Sequence, residues 1–521
     1  MNIDGRCLTR QEFADHVAGL RRAPPRSIWL HHTWIPRLDQ WRGRETIYGM
    51  KAWYEKQPWV DSQGRQRIGW TAGPHVFVAH DGIWLFTSLE QDGVHCRGHN
   101  QGTIGIEMVG DYDAAPPRGL VLENTVDALA TLFHRWAMDP AGLMFHRDAS
   151  TKTCPGNAVA KDWVVGLVEK RLARRRGEFG SALTVHNHHP TYPGWLKGHV
   201  AQMDPEFVKV MDPDRGVAQP YGDGLHYIGR LHFGEGEPDK QLVALGAEGA
   251  DHYWSMARPR IEACPWISWW EGPNEPDVTT EQGCRNLAAF WGRLADIYHD
   301  HNLCAAGFSL ATGNPPEMGW WRILAPAAAR LDAVEVHEYA MTRHMLVDGW
   351  HLGRLLRADE ILQSKGVAVD WIVGETGVDR GGGKATDGWR ARGMSRREYL
   401  EGLTGYEGVL REQLGPRLLF VSPFTWTTPD WTSFRIDEWM SRDIAEYVAS
   451  TRGAEAVTEP LPEHETATDP ATIAEKVRWW VEEMQRAHEG GNLDRAERIR
   501  LSLITLLYRL EQSLKKGNHG Q

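Results

Sequence analysis

The chain has 521 residues, a length that accommodates about three domains. Its 41% hydrophobic and 24% charged residues are ordinary for globular protein, and at a mean hydropathy of −0.47 no apolar run reaches the ~18 residues of a membrane helix. These values exclude a membrane-spanning chain, a fibre or a disordered polymer, and a net charge of −11 without a dominant basic footprint speaks against a nucleic-acid partner.

Met1-Asn2-Ile3-Asp4-Gly5-Arg6 lacks the basic stretch and apolar core of a secretory signal, so the chain is expected to be cytoplasmic as synthesised. Six cysteines scattered along it make no disulfide framework. Thr9 is placed to cap a helix, 27–31, 73–78 and 102–109 read as strands, and 120–138 and 158–174 have helical spacing. The basic run 170–176 reads as a solvated helix end, where cations are favoured. Residues 1–177 are therefore a mixed α/β unit, ended by the break at 177–181.

A different rhythm follows. Strand candidates at 182–186, 207–211, 225–233, 266–270, 305–310, 333–337, 371–374 and 418–423 alternate with helical stretches such as 285–299 and 350–364. Eight such units predict a (β/α)8 TIM barrel over 178–452. The Gly-rich stretch 380–383, without a Walker pattern, reads as a flexible rim. Residues 453–521 open with an acidic, Pro-containing linker. Asp469-Pro470 then starts a helix with Ile473, Val477, Trp480, Val481 and Met484 on one face, and Gly490-Gly491 turns it into a second helix. Such a C-terminal α-helical hairpin buries little alone and is expected to pack on a neighbour or to form a homodimer.

Three metal-ligand types stand in the first unit: His31 at a strand end, and His146 and Cys154 eight residues apart. Zinc accepts imidazole and thiolate together, although a lone strand histidine is more often a satisfied core residue. The segments 30–33, 69–75, 95–100, 105–110 and 146–156 resemble the zinc-dependent N-acetylmuramoyl-L-alanine amidases, the family that includes phage lysozyme-type amidases and peptidoglycan recognition proteins. The resemblance implies a mixed-sheet zinc amidase fold with His31, His146 and Cys154 as Zn2+ ligands, His32 being set aside. Lys152 can stabilise an oxyanion. Many relatives carry a Tyr before the histidine that matches His75; here that place is Pro74, which removes the Tyr version of the mechanism. Glu107 matches the catalytic Glu of the cytosolic muropeptide-recycling branch and is assigned as general base. His75 and Asn100 are candidates for substrate contact or for a supporting place behind the ligands.

In the barrel, Glu275 within Asn274-Glu275-Pro276 follows the fourth strand and Glu375 ends the seventh. Two carboxylates facing across a barrel mouth are what glycoside hydrolysis requires. The pattern resembles the clan A glycoside hydrolases, which implies Glu275 as acid/base, Glu375 as nucleophile, and a retaining mechanism. It further implies Asn274 on the sugar 2-hydroxyl, His337 and Tyr339 as the sixth-strand pair that positions the nucleophile, and Trp426 as the floor of the sugar site. The histidines 186, 188 and 189 are expected to line the mouth or the surface. With 25 Trp against 13 Tyr and 13 Phe, indoles suit sugar faces, but most are expected to fill core.

These readings converge on an endolysin-like cell-wall hydrolase acting on peptidoglycan or another wall glycan. One alternative is a cytosolic muropeptide amidase. The other is an amidase whose barrel binds glycan without cutting it.

Overall fold

A computed structural model describes residues 1–452 apart from 61, 62, 179, 223, 235, 344, 346 and 380–383. The expected linker and hairpin of 453–521 and the Gly-rich rim lie outside the described residues.

The first unit runs β1 (Cys7–Leu8), α1 (Arg10–Ala18), β2 (Ser27–His32), α2 (Arg44–Tyr54), β3 (Pro58–Val60), β4 (Gln66–Ile68), β5 (Val76–Ala79), β6 (Gly82–Leu85), β7 (Thr103–Met108), α3 (Gly119–Arg135), β8 (Met144–Phe145) and α4 (Lys161–Arg175). Thr9 and Glu12 cap α1 reciprocally, as their three-residue spacing dictates. Six strands form one mixed sheet in the order β1-β6-β5-β7-β2-β8, parallel at β2–β7 and antiparallel at β5–β6. Strand alternation decides what the sheet presents. Ile28, Leu30, Ile104 and Ile106 pack with Val121, Leu129 and Leu132 of α3. His31 and Glu107, one step further and paired in register, therefore emerge together on the other face.

The second unit runs β9 (His186–Asn187), α5 (Gly194–Met203), β10 (Phe207–Met211), β11 (His226–Arg230), α6 (Pro238–Leu242), α7 (Ala247–Glu262), β12 (Trp269–Trp270), α8 (Glu281–Asp300), β13 (Cys304–Leu310), α9 (Trp321–Ala328), β14 (Ala333–Ala340), α10 (Arg354–Gln363), β15 (Trp371–Val378), α11 (Arg396–Leu414), β16 (Leu418–Pro423) and α12 (Glu438–Ser450). The eight strands pair in chain order, all parallel. Bridges Leu183–Val421 and Asn187–Trp426 link the first strand to the last, giving a nearly closed barrel of the (β/α)8 type.

The two units share a floor. Leu120 of α3 enters a buried cluster with Phe207, Ile228, Trp269, Ile372, Leu419 and Phe420, residues at or near the N-terminal ends of barrel strands. Charged groups ring this plug. Arg171 pairs with Glu123 at 2.9 Å and Asp127 at 3.0 Å, and Glu123 also meets His226 at 3.1 Å and the Trp269 indole N–H at 3.2 Å. Arg174 donates to the Leu418 carbonyl at 2.9 Å and pairs with Glu206. The basic run is thus not a solvated helix end. Burial against the barrel base draws Arg171 and Arg174 into ion pairs, because an unpaired charge there would be costly.

Candidate active sites

On the open face of the first sheet, His31 ends β2 while His146 opens the turn after β8 and Cys154 lies further along the same loop. The loop is tied back by Arg147, whose backbone N–H donates to the Cys154 carbonyl at 2.8 Å and whose guanidinium donates to the Gly156 carbonyl at 2.6 Å. The His31 and His146 Nδ1 atoms are 3.1 Å apart, Cys154 Sγ is 3.7 Å from His31 Nδ1, and all three donors lie within 4.8 Å of one another. Tetrahedral zinc bonds of about 2.05 Å to nitrogen and 2.3 Å to sulfur place donors roughly 3.4–3.6 Å apart, so the set fits zinc. Burial holds His31 well below the usual histidine pKa and His146 at about 4. Both rings are therefore neutral, as ligands must be.

A chain of hydrogen bonds behind His31 fixes its tautomer. His31 Nε2 lies 3.1 Å from His95 Nδ1, and His95 Nε2 lies 2.9 Å from Thr103 Oγ1, which donates to the His99 carbonyl at 2.6 Å. With the threonine proton committed to a carbonyl, His95 donates through Nε2 and accepts through Nδ1. His31 then carries its proton on Nε2 and leaves Nδ1 as a lone-pair donor facing His146 and Cys154. His95 and Thr103 were not singled out from sequence; a histidine five residues before Asn100 was the available signal. His32 accepts the Tyr112 N–H through Nδ1 at 3.3 Å, while its backbone N–H donates to Cys154 Sγ at 3.3 Å.

Glu107 sits beside His31. Burial pushes its pKa up to about 8 while the Lys152 ammonium pulls the other way. Lys152 itself is exposed at the lip. His75 and Asn100, expected at the substrate or behind the ligands, both bond to backbone. His75 is fully buried, its Nδ1 accepting the Gly105 N–H at 3.0 Å and its Nε2 lying 3.0 Å from the Gln91 carbonyl, which leaves no ring nitrogen for a ligand. Asn100 Oδ1 accepts the backbone N–H groups of His95 and Cys96, both at 2.9 Å, and so shapes the loop.

At the barrel mouth, oxygens of Glu275 and Glu375 and a ring nitrogen of His337 lie within 4.8 Å of one another. His337 Nδ1 is 2.8 Å from Glu275 Oε1 and 3.7 Å from Glu375 Oε2. Tyr339 donates to Glu375 Oε2 at 2.9 Å, and Arg230 pairs with Glu375 Oε1 at 2.7 Å. A second guanidinium nitrogen of Arg230 donates to Asn274 Oδ1 at 2.6 Å, which leaves the Asn274 NH2 as a donor. Burial opposes charge on Glu375, but His337 and Arg230 prevail and hold its carboxyl well below the usual range. Burial likewise opposes charge on His337, while Glu375, Glu275 and Glu335 raise its pKa to about 9.

Beneath this pair, Lys209 Nζ lies 2.8 Å from Glu335 and 2.9 Å from Glu271, all fully buried. Lys209, Glu271 and Glu335 come from or follow strands β10, β12 and β14, so one interior layer of alternate strands is charged rather than apolar. Arg230 and Lys209 went unassigned in the sequence, where a single cation inside an apolar strand was their only mark. His186, in register with Lys209, is buried with both ring nitrogens unpartnered. Trp426 corrects its expected role. It is fully buried, its indole N–H donating to Ser441 of α12 at 3.0 Å, so it packs between barrel and helix rather than flooring a sugar. Phe424 takes the position at the mouth, with Tyr339, Trp431 and Phe434 around it.

Residues 21–157 match the family model described as N-acetylmuramoyl-L-alanine amidase. A human protein named N-acetylmuramoyl-L-alanine amidase is 27% identical over 147 residues, which is 27% of this chain and 24% of that protein. The chain therefore spans about a quarter of that relative. The endolysin of Klebsiella phage KP32 is 27% identical over 119 residues, 22% of this chain and 72% of the endolysin. Among solved structures, wild-type Drosophila PGRP-LB aligns with 21% identity, 29% of this chain, 89% of that chain and a TM-score of 0.22.

Proposed function

We propose that the chain is a two-headed cell-wall hydrolase of endolysin type. Its first unit, residues 1–177, hydrolyses the amide between N-acetylmuramic acid and L-alanine in peptidoglycan. Its barrel unit, residues 178–452, hydrolyses a glycosidic bond of wall glycan. The observation that carries the first claim is the His31–His146–Cys154 donor set lying inside the stretch that matches the amidase family. Relatives named amidase and endolysin support it.

In the first head, His31, His146 and Cys154 would hold zinc, which would supply polarisation of the scissile carbonyl and a lowered pKa for water. In its ionised form, which the Lys152 ammonium favours against burial, Glu107 accepts the proton of the attacking water and passes it to the leaving amine. The Lys152 ammonium faces the negative charge that grows on the carbonyl oxygen.

In the second head, Arg230, His337 and Tyr339 keep Glu375 ionised and aimed, so that it attacks the anomeric carbon. Glu275 gives a proton to the departing oxygen and then takes one from the water that releases the sugar. Carboxylate oxygens within 4.8 Å support retention, since inversion needs carboxyl groups about 6.5–9.5 Å apart to admit a water.

The test is digestion of purified peptidoglycan, counting new L-alanine amines and new reducing ends separately for wild type, Cys154→Ser and Glu375→Gln. Amines lost only with Cys154 and reducing ends lost only with Glu375 are expected. Amines absent from a zinc-loaded wild type would overturn the amidase claim. Reducing ends absent from the wild type, with lysis unchanged by Glu375→Gln, would make the barrel a binding module.

A further inference from the structure

A cleft of roughly 760 Å³ opens between the loop after β9 and the loop after β16, outside the catalytic cluster. That volume is typical of a ligand cleft, about 300–1,000 Å³. Both loops leave the C-terminal ends of their strands, and the helices that follow, α5 and α12, begin there. The cleft therefore opens on the same rim as Glu275 and Glu375.

Packed side chains link it to them. Thr427 lines the cleft and donates to Asn187 at 2.8 Å. Three residues earlier, Phe424 packs against His186 and His188 on one side and Tyr339 on the other, and Tyr339 holds Glu375. The walls pair apolar faces (Tyr192, Trp195, Pro429) with a hydroxyl and charges (Thr191, Arg435, Glu438). A sugar ring has that same division, carbon-bound hydrogens on its faces and hydroxyls at its edge. The Trp195 indole offers a flat platform for the first, and the Tyr192 ring, whose hydroxyl is buried, offers an apolar face only.

We infer that this cleft is a subsite for further sugars of a glycan chain whose scissile bond lies at Glu275 and Glu375, so that the barrel takes a polymer rather than a single sugar. The inference rests on the glycan reading of the barrel and adds where the chain runs. Tyr192 and Trp195 are its platforms.

The test uses the full chain silenced in both heads by Cys154→Ser and Glu375→Gln, with calorimetric titration of peptide-free peptidoglycan oligosaccharides of two, four and six sugars. Affinity is expected to rise by about tenfold or more from two to six sugars. Trp195→Ala and Tyr192→Ala are expected to erase that rise and leave the two-sugar affinity in place, while Trp195→Phe retains most of it. Equal affinity at all lengths, or equal weakening of short and long chains by Trp195→Ala, overturns the subsite and leaves the glycan reading standing. No binding at any length overturns both.

Discussion

The two sites solve opposite electrostatic problems. The first gathers two neutral imidazoles and a thiol, with His31 and His146 held neutral by burial, and its donors face one another without an internal counter-charge. The second sets Glu275, Glu375, Glu271 and Glu335 against Arg230, Lys209 and His337, so its charges are paired largely from within. The first set offers neutral donors that suit a bound cation, whereas the second pairs its charges with its own residues. The difference teaches that one chain can hold a site suited to an ion beside a site held by internal ion pairs.

The comparison breaks most sharply by deletion of one member of each site. Cys154→Ser is expected to lower amine release by roughly three orders of magnitude or more without changing reducing-end release, and Glu375→Gln to do the reverse. Removing the metal with a chelator should reproduce the cysteine phenotype alone, with recovery on adding zinc.

The self-paired character of the barrel can be tested next. Lys209→Met strands Glu271 and Glu335 in the core, and breaking a buried pair in this way costs about 3–5 kcal/mol. Denaturant unfolding should register the loss, and an unchanged midpoint would contradict the pairing. Titration sharpens the same point. The raised pKa of His337 means that its charge stabilises the fold fully below the unfolded value near 6.5, and that this contribution fades as pH rises through about 9. Wild type should lose roughly 3 kcal/mol across that window. His337→Gln should lack this slope.

The smallest expected effect belongs to the metal site. Thr103→Val removes the acceptor behind His95, and loss of such a partner weakens metal binding by about 10–100-fold. Competition with a zinc indicator would measure it, and reducing-end release should stay unchanged.

Much of this arrangement was legible in the residues, because several parts of it are local. Thr9 and Glu12 announce a cap by their spacing, and the eight strand–helix units follow from short apolar runs between helical stretches. The metal donors sit in compact segments whose order survives in the fold. What was missed depends on direction and partnership. Trp426 and Phe424 are two residues apart at one strand end, and only the closed barrel decides that the indole turns to Ser441 while the phenyl turns to the mouth. His75 looked available until the fold gave both its nitrogens to backbone. The basic run looked solvated because its carboxylate partners lie about 30 to 50 residues away in sequence, on α3 and at the barrel base.

The plug of Leu120 in the barrel floor bears on how such a chain could be rearranged. Hydrolase modules are readily pictured as beads exchanged along a string. Here the seam is a shared core, and a barrel excised at residue 178 would present Phe207, Trp269 and Phe420 at an uncovered base, the kind of apolar patch that drives aggregation. Transplanting either head therefore means redesigning its underside, and a shuffled descendant of this chain would inherit the two heads together or neither.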